Sequence, residues 1–150
     1  MREKEFKMVD IGSKNETERI AEAVGKIKLS EDTIQSIIKD QIPKGNVLSA
    51  AQLAGIMAAK KTHELIPLCH PLKITSIELE ITPDLDNKCI LIKSKVKALD
   101  RTGVEMEALT AVIGAALTIY DMCKGIDKRM IIDDIHLLSK KGGRSGEFKW

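Results

Sequence analysis

Two alternating runs around one turn restrict the fold of this chain more than any other feature. Ile77, Leu79 and Ile81 alternate with Ser76, Glu78 and Glu80, and a second run extends from Lys88 to Ala98. A period of two puts the apolar side chains of each run on one face of a strand. Between the runs lies Pro83-Asp84-Leu85-Asp86-Asn87, a cluster of turn-forming residues. The spacing predicts a β-hairpin.

The segments on either side supply the rest of the order. From Thr17 to Leu29 two periods compete: Ile20 and Val24 are at helical spacing, while Val24-Gly25-Lys26-Ile27-Lys28-Leu29 alternates. We read it as a strand. Ser30 then caps a short amphipathic helix through Asp32, Ile34, Ile37 and Ile38, which must stop before Pro43. Asn46 caps a second helix, with Val47, Leu48, Ala51, Ala54 and Ala58 on an apolar face rich in small residues.

After the hairpin, Thr102-Gly103-Val104-Glu105 has the form of a capping box. It predicts a long helix whose core stripe is Met106, Leu109, Ile113, Ala116, Leu117 and Tyr120, ending at Gly125. Met130 to Leu138 reads as a last strand, and Lys140 to Gly146, dense in glycine and basic residues, as a loop or tail. This order predicts an α+β fold of the ferredoxin-like, split βαβ kind: one antiparallel sheet with helices packed on one face. The face left uncovered suits oligomerisation.

Composition narrows the function classes. The chain has 150 residues, 43% of them hydrophobic, which suits one domain with one core. Its 24 basic and 22 acidic residues leave a net charge of +2, so no overall basic field favours nucleic acid or a membrane. Aromatic residues at 3% are too few for base stacking. Cys69, Cys89 and Cys123 are odd in number and widely spaced, which fits neither a disulfide framework nor a zinc knuckle. Met1 to Lys7 lacks a signal-peptide core, and no segment reads as a membrane span, so the expected compartment is the cytoplasm.

Three stretches carry candidate chemistry. Leu65-Ile66-Pro67-Leu68-Cys69-His70-Pro71-Leu72 holds a cysteine and a histidine between two prolines that stiffen the backbone. From residue types alone, packing in a buried connection is the commoner fate of such a pair. Asp121 and Lys124 are three residues apart, close enough to share a proton, although an exposed ion pair at a helix end is the commoner case. Glu105 has a duty in the capping box and Glu107 has none, which makes Glu107 the better site candidate. Lys44-Gly45 and the Lys140 to Gly146 tail have the residue types of phosphate cradles, but no Walker-type loop is present. No histidine and cysteine spacing matches a metal site.

Taken together, these blocks resemble the cyclic pyranopterin monophosphate synthase family, also called the MoaC family. The resemblance is carried by Met8-Val9-Asp10-Ile11, Lys44-Gly45-Asn46-Val47, Ala54-Gly55-Ile56, Ile66 to Leu72, Gly103 to Thr110, Ala116 to Lys124 and Gly142-Gly143-Arg144-Ser145-Gly146. Arg144 stands where the family pattern suggests a lysine, which keeps the charge but changes the geometry.

The resemblance implies a lyase of molybdenum cofactor biosynthesis that converts 3′,8-cyclo-7,8-dihydro-GTP into cyclic pyranopterin monophosphate and pyrophosphate. It implies Asp121 as catalytic acid or base with Lys124 as its partner, and Leu68, Cys69, His70, Met106 and Glu107 as substrate-binding positions. Lys44, Lys140 and Arg144 would hold the triphosphate. No metal or cofactor is required, though magnesium can accompany the triphosphate. The family pattern also implies a hexamer of three dimers. Fourteen residues of helix put Glu107 about 21 Å from Asp121, so either the substrate's length bridges the two or, the preferred expectation, the site joins two subunits. The competing expectation is a non-catalytic ferredoxin-like module that binds nucleotides or regulates a partner.

Overall fold

The computed structural model describes residues 4–143 and 146–150. The hairpin forms as its alternation requires: β2 (Ile74–Asp84) pairs with β3 (Cys89–Asp100), with Asp84 opposite Cys89. Asp84 itself closes the turn by accepting from the Asn87 amide at 3.1 Å. The ambiguous first segment is a strand, β1 (Thr17–Lys28), paired with β3 along its whole length. Its alternation decides over its helical spacing because Ala21, Ala23 and Ile27 are completely buried on one side.

The last long strand, β4 (Ile131–Lys141), pairs with the other edge of β1, and β5 (Phe148–Lys149) adds a short outer strand. The sheet order is β2-β3-β1-β4-β5, antiparallel throughout. Each helical crossover thus returns two strands away, with an antiparallel strand between, which is the split βαβ arrangement of an α+β ferredoxin-like fold. Two expectations are corrected here. Lys140 and Lys141 belong to β4 rather than to a loop, because β1 extends far enough to pair with them; β5 was not foreseen.

Helices α1 (Glu31–Ile38) and α2 (Val47–Lys60) begin where expected, with Ser30 accepting from the Thr33 amide and Asn46 from the Ser49 amide. A short helix, α3 (Thr62–Leu65), follows α2. The long helix α4 (Glu105–Cys123) lacks the predicted capping box: its N-cap is Val104, with no side-chain cap. The Glu105 side chain instead lies against Gly103, where an added Cβ would come within 1.9 Å of Oε1.

The inward face of α4 also differs from the predicted stripe. Ala108, Ala111, Val112, Ala115, Ala116 and Ile119 are fully buried, whereas Met106, Ile113 and Leu117 are exposed. The reason is close helix packing. A Cβ on Gly114 would come within 2.6 Å of Ala58 Cβ, and one on Gly55 within 2.8 Å of Ala111 O. Only small side chains fit such an approach, so α4 turns its alanines inward and its larger residues out. By length and composition α4 is also apolar enough to cross a bilayer, contrary to expectation, but half of it is buried inside the fold.

Candidate functional site

Three groups of polar side chains occupy separate places around α4. The first is at its C-terminal end. Asp121 is in the last turn and Lys124 is the C-cap, so their spacing puts Lys124 Nζ 2.9 Å from Asp121 Oδ1. Lys44 approaches from the tight turn before α2, where Gly45 takes φ +121°. Its Nζ donates to Asp121 Oδ2 at 3.0 Å and to the Asp121 carbonyl at 3.1 Å. Hydrogen bonds from Lys124 and then Lys44 hold the Asp121 carboxyl below the usual aspartate range. The carboxylate is therefore ionised at neutral pH, with one ammonium on each oxygen. All three side chains remain about half exposed, a setting in which ion pairs add little stability.

The second group is at the other end of α4. Glu107, in its first turn, is 2% exposed. It faces the irregular segment after α3, where Cys69 Sγ donates to Glu107 Oε2 at 3.7 Å. The other oxygen, Oε1, is buried and accepts no hydrogen bond from the described residues. Burial raises the Glu107 carboxyl above its ordinary range. Burial, and then the charge of Glu107, push the Cys69 thiol up to about 11, so Cys69 is a protonated donor. His70 is half-buried beside it, while Leu68 and Met106 are exposed.

The third group contains Lys140, near the end of β4. With Lys14, Arg19, Thr102, Gly103, Glu105 and Gly142 it lines a cavity of about 220 Å³. Arg144, the remaining expected phosphate ligand, lies outside the described residues. The expected partners Lys44 and Lys140 are thus divided: Lys44 is committed to Asp121. Among the described residues no three His, Cys, Asp or Glu side chains are grouped to share a metal ion.

A model of the MoaC family matches residues 8–143. The chain belongs to the MoaC family. A cyclic pyranopterin monophosphate synthase from Desulfatibacillum aliphaticivorans is 56% identical over 141 residues, spanning 94% of this chain and 89% of the relative. One from Clostridium perfringens (strain SM101 / Type A) is 57% identical over 143 residues, 95% and 90% of the two chains. One from Rhodospirillum rubrum is 55% identical over 139 residues, 93% and 84%. The MoaC family match includes the described members of all three groups, from Lys14 to Lys140.

Two cavity residues, Lys14 and Arg19, escaped the sequence reading. The signal for Arg19 was present: it occupies an inward position of β1, in register with Ala21, Ala23 and Ile27, where a charge is out of place. Lys14, in an irregular segment, offered no such signal.

Proposed function

We propose that this chain is a cyclic pyranopterin monophosphate synthase, converting 3′,8-cyclo-7,8-dihydro-GTP into cyclic pyranopterin monophosphate with release of pyrophosphate. Membership of the MoaC family and the names of relatives above 50% identity support the activity. The observation that carries the chemistry is the Asp121 carboxylate held between Lys124 and Lys44. An ionised carboxylate so placed takes a proton from a reacting hydroxyl or amine, and a neighbouring ammonium returns one. Positioned groups of this kind typically contribute about 10²–10⁴-fold in rate. The ammoniums also offset charge growing on the departing pyrophosphate.

In this reading Leu68, Cys69, His70, Met106 and Glu107 contact the ring system. Oε1 of Glu107, unpartnered among the described residues, suits a ring N–H or amine donor, which would remove the cost of leaving a buried acceptor unpaired. Lys140 and Arg144 act on the phosphates. The reaction transfers no electrons and draws on no protein-bound cofactor, while magnesium can accompany the triphosphate. Three free cysteines fit a cytoplasmic location.

The active unit is proposed to be an oligomer, a hexamer built from three dimers, with sites shared between subunits. Glu107 and Asp121 are separated by about 21 Å of helix, too far for one compact pocket within a chain. The exposed Met106, Ile113 and Leu117 of α4, with Leu53 and Met57 of α2, form an apolar surface on the same two helices. A second copy packed antiparallel on it covers that surface and carries its Asp121 towards this chain's Glu107.

Incubating the purified protein with 3′,8-cyclo-7,8-dihydro-GTP should yield pyrophosphate and the cyclic pterin together. Folded protein that yields neither would overturn the assignment. Sharing has its own test. Random re-association of inactive Glu107→Ala and Asp121→Ala proteins should restore about one quarter of wild-type activity, because half the dimers are mixed and each mixed dimer has one intact site. No recovery despite demonstrated exchange of subunits would place each site within one chain.

A further inference from the structure

Strand β5 consists of Phe148 and Lys149 alone, paired with Lys140 and Ser139 at the end of β4. So short a ladder does not by itself hold a chain end against a sheet edge. Beyond it, the Trp150 amide donates to the Leu138 carbonyl at 2.8 Å, and the Trp150 ring lies on the His136 ring with centroids 4.6 Å apart and planes inclined at 46°. The Lys141–Glu147 ion pair, at 3.8 Å and exposed on both sides, adds little. Trp150 is 80% exposed, so burial does not fix it; the ring contact does.

His136 is held for this contact from its own strand. Asp134 and Ile135 stand together opposite Gly25, a β-bulge in β4, with Asp134 at φ +55°. Aspartate is among the few residues that take this left-handed conformation readily. A bulge re-aims the side chains beside it. His136 Nδ1 is 3.0 Å from the Asp134 carbonyl oxygen, which only accepts, so Nδ1 carries the proton and donates there. The Asp134 carboxylate is beside the same nitrogen at 3.3 Å. Both contacts come from the bulge, so they orient the imidazole independently of Trp150.

We propose that His136 and Trp150 are positioning residues: their stack latches β5 onto β4 and thereby holds Lys140 at the cavity it lines. The role given to Lys140 rests on the function proposed above; the latch itself does not. Lys140 is opposite Ala21 on β1 and Phe148 on β5, so its backbone has a strand on each side only while β5 is in place. Releasing β5 turns the end of β4 into a sheet edge, where the backbone frays. A lysine on a fraying strand spends less time in the geometry that meets a phosphate, so substrate binding weakens. Neither His136 nor Trp150 lines the cavity, and each therefore acts through β4.

Trp150 is the single tryptophan of the chain, so its fluorescence reports the latch directly. In the full-length protein, His136→Ala should lower the steady-state anisotropy as the indole gains freedom. With 3′,8-cyclo-7,8-dihydro-GTP as substrate, His136→Ala and Trp150→Ala should each raise KM by about threefold or more and leave kcat within about twofold of wild type. Trp150→Phe keeps a ring and should restore the wild-type KM. A purely structural loss would instead lower the melting temperature and the active fraction, and so kcat, with KM unmoved. Trp150 is the exposed last residue, so its variants keep the test valid if His136→Ala disturbs β4. Unchanged anisotropy in folded His136→Ala would overturn the latch; an unchanged KM in both alanine variants would overturn its part in binding. If the anisotropy falls but wild type never turns over the substrate, the latch stands and the assigned reaction fails.

Discussion

Lys44 and Asp121 are 77 residues apart in the chain, yet the Lys44 ammonium donates to both the side chain and the backbone carbonyl of Asp121. This contact ties the turn before α2 to the last turn of α4. It leaves Asp121 with one ammonium on each carboxylate oxygen, Lys124 holding the other. Replacing Asp121 by Asn keeps the shape and removes the base. Turnover of 3′,8-cyclo-7,8-dihydro-GTP should fall by about 10²-fold or more. The melting temperature should remain close to wild type, because these pairs face solvent. A variant that retained full turnover would favour a binding module instead.

Lys44→Ala and Lys124→Ala should separate two roles. Each leaves Asp121 one ammonium, so each should raise its depressed carboxyl, with the larger effect from Lys124. The acid limb of the pH–rate profile should then move to higher pH, and further for Lys124→Ala. Identical acid limbs in all three proteins would show that Asp121 is not the group being titrated.

Glu107 gives the opposite pH dependence. Burial raises its folded-state carboxyl above the unfolded value, so the folded protein binds a proton more tightly than the unfolded chain. Its contribution to stability is complete below the ordinary glutamate range and is lost as pH rises through the raised value. Glu107→Gln, which carries no charge, should lose less stability than wild type between pH 4 and pH 8. Denaturant midpoints at those two values provide the check; equal losses would mean that Glu107 titrates normally.

Asp127 shows how much one buried acceptor can organise. Its carboxylate accepts from the Ser30 amide at 2.9 Å, the Thr33 hydroxyl at 3.0 Å and the Arg129 amide at 3.1 Å, fastening the start of α1 to the segment after α4. Burial pushes this carboxyl up, but the three donors outweigh it and the net shift is downward. Its stabilisation is therefore present above the ordinary aspartate range and lost as pH falls through the lowered value. Asp127→Ala strands these donors and should cost about 1–3 kcal/mol in urea unfolding at neutral pH.

Close packing of α2 on α4 predicts a contrast between glycines. Gly55→Ala puts a methyl 2.7 Å from Leu79 Cδ2 and 2.8 Å from Ala111 O. It should destabilise by about 1–3 kcal/mol. Gly125→Ala meets nothing within 4 Å and its backbone is not left-handed, so it should change stability by less than about 0.5 kcal/mol. Equal thermal shifts for the two would refute the close approach.

The sequence by itself determined the hairpin of β2 and β3, the order of the main elements and the helix starts at Ser30 and Asn46. Those depend on local rules: a period of two, a turn cluster, a side-chain oxygen that reaches its own backbone amides. Asp121 with Lys124 was legible for the same reason, since three residues of helix make neighbours. Tertiary structure decided the rest. Helix α4 is apolar nearly all round, so its periodicity did not reveal which side faces inward; the backbone approach at Gly55 and Gly114 did. The failed capping box at Thr102 and the pairing of Lys140 with β1 likewise depended on partners distant in sequence. Lys44 joined Asp121, Cys69 joined Glu107, and Arg19 came to rest beneath Gly142 and Gly143, because sheet order and helix packing bring distant segments together, and no local pattern records which ones.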